Sequence, residues 1–134
     1  MRCARRAAAT PFGRVSFLRA GGPAGARAGL LAHGLGSDGS WFPAQHREHD
    51  RGFLPWLVPD LLGHGRSDRP DGDDAYRMAG QARALAELLA AEGVGEVVLG
   101  GHSMGGLVAL RLAELLAREG RARVVGLVLA EGNL

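Results

Sequence analysis

Of the 134 residues, those best equipped for covalent chemistry lie in the run Gly100-Gly101-His102-Ser103-Met104-Gly105-Gly106. It contains the spacing G-x-S-x-G, which holds a serine at a sharp strand-to-helix turn and pushes its hydroxyl out to where a reactive carbonyl can approach. Gly101 and Gly105 are the positions at which no Cβ is tolerated, because the chain passes close to its neighbours there. The serine then stands at the start of a helix. Unpaired N–H groups and the positive end of the helix dipole face any oxyanion formed at that point, and the backbone N–H of Met104 is the first donor. Taken alone, the spacing also fits an ordinary turn.

The flanking elements supply the context. Val97-Val98-Leu99 is an apolar β run, and Leu107, Val108, Leu112, Leu115 and Leu116 recur at helical spacing over residues 104–116. Upstream, residues 6–20 read as a hairpin turning at Thr10-Pro11-Phe12-Gly13, and the Gly/Ala/Pro-rich residues 21–29 as a surface loop. Leu30-Leu31-Ala32 is a short buried strand that opens into His33-Gly34-Leu35-Gly36. A short polar helix is expected within residues 41–51, then a strand at Trp56-Leu57-Val58-Pro59-Asp60 and a turn-rich loop over residues 61–68. Met78, Ala82, Leu85, Leu88 and Leu89 make one stripe of a helix over residues 76–92, which Gly93 ends. Gly120 breaks the helix after Ser103, and residues 124–130 read as a last buried strand. A hairpin followed by alternating strands and helices predicts an α/β fold, a mainly parallel sheet covered on both faces.

Composition narrows the field. The chain is 46% hydrophobic and 22% charged, enough apolar residues for one core and too few charges for disorder. All 16 basic residues are arginine, scattered along the chain, and a net charge of +2 argues against a nucleic-acid partner. The one cysteine, Cys3, falls in an expected frayed end and offers no internal disulfide. Arg2, Arg5 and Arg6 precede no sustained apolar segment, and no window approaches the ~20 apolar residues of a membrane span. A cytoplasmic protein acting on a small-molecule substrate, away from membranes, is the expectation; oligomeric state is left open.

Three landmarks now stand in order: His33-Gly34-Leu35-Gly36 after one strand, Asp60-Leu61-Leu62-Gly63-His64-Gly65-Arg66-Ser67 after the next, and the turn at Ser103 after the third. Together they resemble the α/β-hydrolase superfamily. The resemblance implies that residues 1–134 are the N-terminal part of such a domain, truncated after the sixth strand. It places the nucleophile on Ser103 and the oxyanion donors on the backbone N–H groups of Leu35 and Met104. Gly34 and Gly36 suit close backbone approach to a reacting carbonyl. The loop over residues 60–67 has no chemical role in the family and reads as a tight structural turn.

The family order is Ser, then acid, then His, and no histidine follows Ser103. The catalytic histidine is therefore expected beyond Leu134, and the chain alone is expected to be inactive. His102 should turn away from Ser103, His33 should orient the oxyanion loop, and His64 lies about 10 Å and two strands away. His46 and His49 sit in a polar segment. Glu131, at the end of the last strand, is a candidate acid, since some members of the superfamily carry theirs after the sixth strand; a plain loop carboxylate is the alternative. The reading calls for no cofactor and no metal. The implied function is a serine hydrolase acting on an ester, thioester or lactone-type carbonyl through an acyl-enzyme. An acyltransferase, for which G-H-S-x-G is also known, and a non-catalytic binding protein on the same scaffold stand as alternatives.

Overall fold

The computed structural model describes residues 3–21, 26–40 and 54–131. Strands β1 (Cys3–Thr10) and β2 (Gly13–Ala20) form a hairpin in unbroken register from Cys3↔Ala20 to Thr10↔Gly13. Thr10 Oγ1 donates to Gly13 O and accepts from Phe12 N–H across the turn, and Gly13 takes φ 123, which a side chain would resist. Cys3 is thus a paired strand residue and not part of a frayed end. Its strand, Ala- and Arg-rich, has little propensity of its own. It is held by pairing with β2, whose Val15 and Phe17 are fully buried.

The remaining strands are β3 (Arg27–Ala32), β4 (Trp56–Pro59), β5 (Glu96–His102) and β6 (Arg123–Ala130), in the spatial order β1-β2-β4-β3-β5-β6. β2 meets β4 antiparallel, whereas β4, β3, β5 and β6 run parallel. β5, which leads to Ser103, therefore lies between two parallel neighbours.

Three further features differ from the sequence reading. β3 begins at Arg27, inside the stretch read as a loop, because Gly29 is a strand residue with the Trp56 ring lying across it: a Cβ there would come within 2.3 Å of Trp56 Cε3. β5 continues through Gly100, Gly101 and His102, each paired on β6, so the glycines are strand interior and not strand end. β6 is not buried: Val125, Leu127 and Val128 are exposed, Val128 at 63%, because it is the outermost strand on its side among the described residues. The helix read within residues 41–51 lies outside the described residues.

Helices α1 (Met78–Ala91) and α2 (Met104–Glu119) pack on each other and on one face of the sheet, α1 against β1 and β2, α2 against β3, β5 and β6. A 3-10 turn at Asp74–Tyr76 precedes α1 and takes up the first residues of the expected helix. Phe17, Leu30, Leu57, Leu85, Leu88, Leu99, Leu112 and Leu116 are fully buried between sheet and helices, each contributing about 1.5–3 kcal/mol by leaving water. At the N-terminal ends of three adjacent strands, Arg27, Glu96 and Arg123 are in register, and Glu96 Oε2 accepts from Arg27 Nη2 at 3.0 Å and Arg123 Nη2 at 3.1 Å. The two guanidiniums hold the Glu96 carboxyl below the usual carboxylate range.

Candidate active site

Ser103 connects β5 directly to α2 with φ 54 and ψ −120, a conformation that L-residues avoid. Close packing imposes it. A Cβ on Gly101 would fall 2.3 Å from Gly105 O, and one on Gly105 would fall 2.2 Å from Ala32 O. The helix therefore starts jammed against the ends of β5 and β3, and the serine turns back sharply to join them. Ser103 N–H donates to Ala130 O at 2.9 Å, its own carbonyl accepts from Gly106 N–H, and its side chain makes no capping bond to α2. The residue is exposed at the C-terminal end of the parallel strands, where ligands of such sheets gather.

The loop after β3 comes up beside it. A Cβ on Gly34 would lie 3.4 Å from Ser103 Cβ. Ser37 N–H bonds Gly34 O at 3.2 Å and Gly36 takes φ 76, the pattern of a type II turn with Leu35 at its first corner. The Leu35 side chain is 78% exposed. Neither Leu35 N–H nor Met104 N–H, the first of α2, has a main-chain partner among the described residues, and both belong to segments bordering Ser103.

His33 anchors this loop. It is fully buried, and its Nε2 lies 2.9 Å from Leu61 N–H, which can only donate, so Nε2 accepts and Nδ1–H is the donor to Gly34 O at 2.7 Å. Burial pushes this imidazole below its usual range, partly offset by the bond to Gly34 O. With both ring nitrogens engaged, His33 supports the turn carrying Leu35 and cannot serve as a base. His64 faces it, ring centroids 5.0 Å apart, with Nδ1 at 3.1 Å from Leu62 O. His46 and His49 lie outside the described residues.

The loop after β4 is a buttress. Asp60 is buried and accepts from Gly39 N–H at 2.7 Å, Arg66 N–H at 3.0 Å and Arg5 Nη1 at 3.0 Å. Ser67 Oγ bridges Asp60 O and Ser16 N–H. A Cβ on Gly65 would strike the Asp60 carboxylate at 2.5 Å, so its glycine is a space requirement. Through Gly39 the carboxylate also holds the far end of the Leu35 loop. Gln81, a polar residue on the apolar stripe of α1, pairs its amide with Leu62 N–H and Leu62 O at 2.9 and 3.1 Å; its position on that stripe was the available signal.

Glu131 does not point at an unused position. Its Oε2 lies 2.9 Å from His102 Nε2, across the ends of β5 and β6, a pairing absent from the sequence reading of either residue. Among the described residues no group of three His, Cys, Asp or Glu could hold a metal ion, and no helix is long and apolar enough to cross a membrane. An open cleft of about 600 Å³ between α1 and α2, lined by Phe12, Arg83 and Leu115, does not include Ser103.

Comparison with known proteins bears on the family and the fold. The chain is 40% identical over 93 residues to lipase LipV of Mycobacterium tuberculosis, covering 69% of this chain and 33% of that protein. A mutant of the N-acyl homoserine lactonase AidH complexed with N-hexanoyl homoserine superposes with a TM-score of 0.82 at 28% identity, over 98% of this chain and 46% of that one. A serine-to-glycine mutant of AidH is complexed instead with N-hexanoyl homoserine lactone (TM-score 0.80, 28% identity, 96% and 45% covered). Epoxide hydrolase A of Mycobacterium thermoresistibile matches with a TM-score of 0.80 at 27% identity, over 96% of this chain and 39% of that one. The chain thus spans about a third to under half of the length of these relatives. A family model described as the alpha/beta hydrolase family matches residues 30–134. On sequence and fold alike, the chain belongs to the alpha/beta hydrolase family.

Proposed function

We propose that the protein is a serine hydrolase that cleaves an ester, thioester or lactone carbonyl through an acyl-enzyme on Ser103. The observation that carries this reading is the forced, exposed placement of Ser103 at φ 54 between β5 and α2, the geometry of a nucleophile elbow. Ser103 Oγ bonds to the carbonyl carbon while its proton passes to a base, and the oxyanion is received by Leu35 N–H and Met104 N–H. Collapse expels the alcohol, thiol or ring oxygen, which takes up the proton; water then attacks the acyl carbon and frees Ser103. The family order of serine, acid and histidine assigns the base to a histidine that follows Ser103 in the full-length protein. His33 is consumed by two hydrogen bonds, and His102 is engaged with Glu131.

The relatives support an acyl substrate. AidH carries the lactone when a serine is replaced by glycine, and N-acyl homoserines without the lactone ring in two other complexes, while LipV is named a lipase. The epoxide hydrolases share the fold, but the family runs that chemistry with aspartate at the elbow, where this chain has serine. No cofactor or metal enters the reaction. The test is labelling of the full-length protein by a fluorophosphonate probe and turnover of a p-nitrophenyl ester. Both should vanish in Ser103→Ala, with kcat lower by about 10⁶-fold. Labelling that persists in Ser103→Ala overturns the assignment.

A further inference from the structure

Among the described residues, the only two outside glycine with positive φ are Ser103 at 54 and Glu131 at 52. They stand side by side. His102 and Ala130 are register partners at the ends of β5 and β6, and the next rung of that ladder is made by Ser103 N–H itself, on Ala130 O at 2.9 Å. One residue further out, His102 Nε2 meets Glu131 Oε2 at 2.9 Å. A main-chain bond and a side-chain bond thus close a small ring through His102, Ser103, Ala130 and Glu131. The other edge of the imidazole borders the Gly34 loop: a Cβ on Gly34 would lie 3.5 Å from His102 Nδ1 and 3.4 Å from Ser103 Cβ.

We propose that His102 and Glu131 are positioning residues, whose bond clamps the end of β6 onto the turn and keeps Ser103 in its strained conformation. The inference rests on reading Ser103 as the nucleophile. A serine at φ 54 relaxes by rotating toward negative φ. With α2 fixed by its packing on Ala32, that rotation swings the peptide plane between His102 and Ser103 and breaks the bond to Ala130 O. Holding Ala130 in place resists it, and the His102–Glu131 bond holds Ala130 from both sides, through its register partner and its chain neighbour. The pair contributes little to global stability, since the side chains are 44% and 81% exposed. Its effect falls on the placement of Oγ, where an error of about 1 Å costs up to about 10²-fold in rate. The clamp needs an acceptor on residue 131 and a donor on Nε2; it does not need the carboxylate charge. This separates it from a triad acid, whose charge stabilises an imidazolium and whose amide analogue loses about 10⁴-fold.

The test uses the full-length protein and the variants His102→Ala, Glu131→Ala, their double mutant and Glu131→Gln. Two readouts are taken: amide exchange of Ser103 N–H, which is independent of activity, and kcat and KM on a p-nitrophenyl ester. Each alanine variant should speed Ser103 exchange about tenfold and lower kcat about tenfold with KM unchanged. The double mutant should be no worse than either single, as two members of one interaction require. Glu131→Gln, whose amide oxygen still accepts from Nε2–H, should stay within about threefold of wild type. Glu131→Gln falling as far as Glu131→Ala, or His102→Ala matching wild type in both readouts, overturns the clamp and makes Glu131 a charged partner of another residue. If Ser103→Ala still labels, the nucleophile reading fails instead, and amide exchange continues to judge the clamp alone.

Discussion

Replacing Gly105 by alanine tests the packing that creates the turn. In most helices the change is favourable by about 0.5–1 kcal/mol, because glycine has more backbone freedom to lose. Here the added Cβ would sit 2.2 Å from Ala32 O and 2.5 Å from His33 O, both main-chain atoms at the end of β3, where ordinary contact begins at 3.4 Å. Neither can rotate aside, so α2 must retreat from the sheet by about 1 Å. Overpacking of this kind costs about 1–3 kcal/mol. With about 2–4 °C lost per kcal/mol in a domain of the size of the relatives, Tm should fall by about 2–12 °C. The assay is thermal denaturation of the full-length protein beside Gly95→Ala, whose Cβ would meet nothing closer than Ala26 O at 3.5 Å and should shift Tm little. Fluorophosphonate labelling should slow as well, since Met104 and Ser103 move with the helix. A Tm for Gly105→Ala equal to or above wild type would refute the argument that the helix start is sterically locked.

Asp60→Ala should destabilise by about 3 kcal/mol, read as a lower urea midpoint, because it strands Arg5 and two main-chain N–H groups; an unchanged midpoint would dismiss the buttress. His33, held below its usual value of about 6.5 chiefly by burial, takes up a proton in the unfolded chain before the folded one. Its contribution to stability is therefore complete above about pH 6.5 and is lost as pH falls below it, with a slope of up to about 1.4 kcal/mol per pH unit. Urea midpoints at pH 7.5 and 5.5 should differ less in His33→Asn than in wild type, and equal differences would contradict the buried, neutral assignment. Residues 1–134 expressed by themselves should self-associate, because β6 exposes Val125, Leu127 and Val128 and carries no charge or proline within residues 124–130. A monomer by sedimentation would count against that.

The strand, turn and helix around Ser103 were legible because each glycine there answers to a local need that spacing records. The Leu35 loop was legible for the same reason, and the role expected of His33 matches the bond it makes to Gly34 O. The first half of β3 was not, since Gly29 reads as loop until the Trp56 ring, 27 positions later, is known to cover it. Nor were the first residues of β1, Cys3 to Arg5, which extend the expected hairpin only through their pairing with β2. The His102–Glu131 bond was invisible because it depends on the register of β5 against β6, which includes an irregularity between Val97 and Val98. Counting from the N-terminal ends of the two strands would have set His102 opposite Leu129, one residue short of its partner. Gln81 could have been found, as a polar side chain on an otherwise apolar helical stripe.

The charged row at the opposite end of the sheet works as an address. Two of the three strands open on arginine and one on glutamate, and the glutamate serves both. Seating β3 directly beside β6 would set Arg27 against Arg123 with no anion between them, whereas inserting β5 gives each arginine its partner. Each of these solvent-exposed pairs is weak, yet the preference acts on order, not on strength: it favours one order of the three strands over another. Leu and Gly occur in all three strands, and apolar character alone does little to set their order. The strand that leads to Ser103 is thereby set between its neighbours by a residue at its far end.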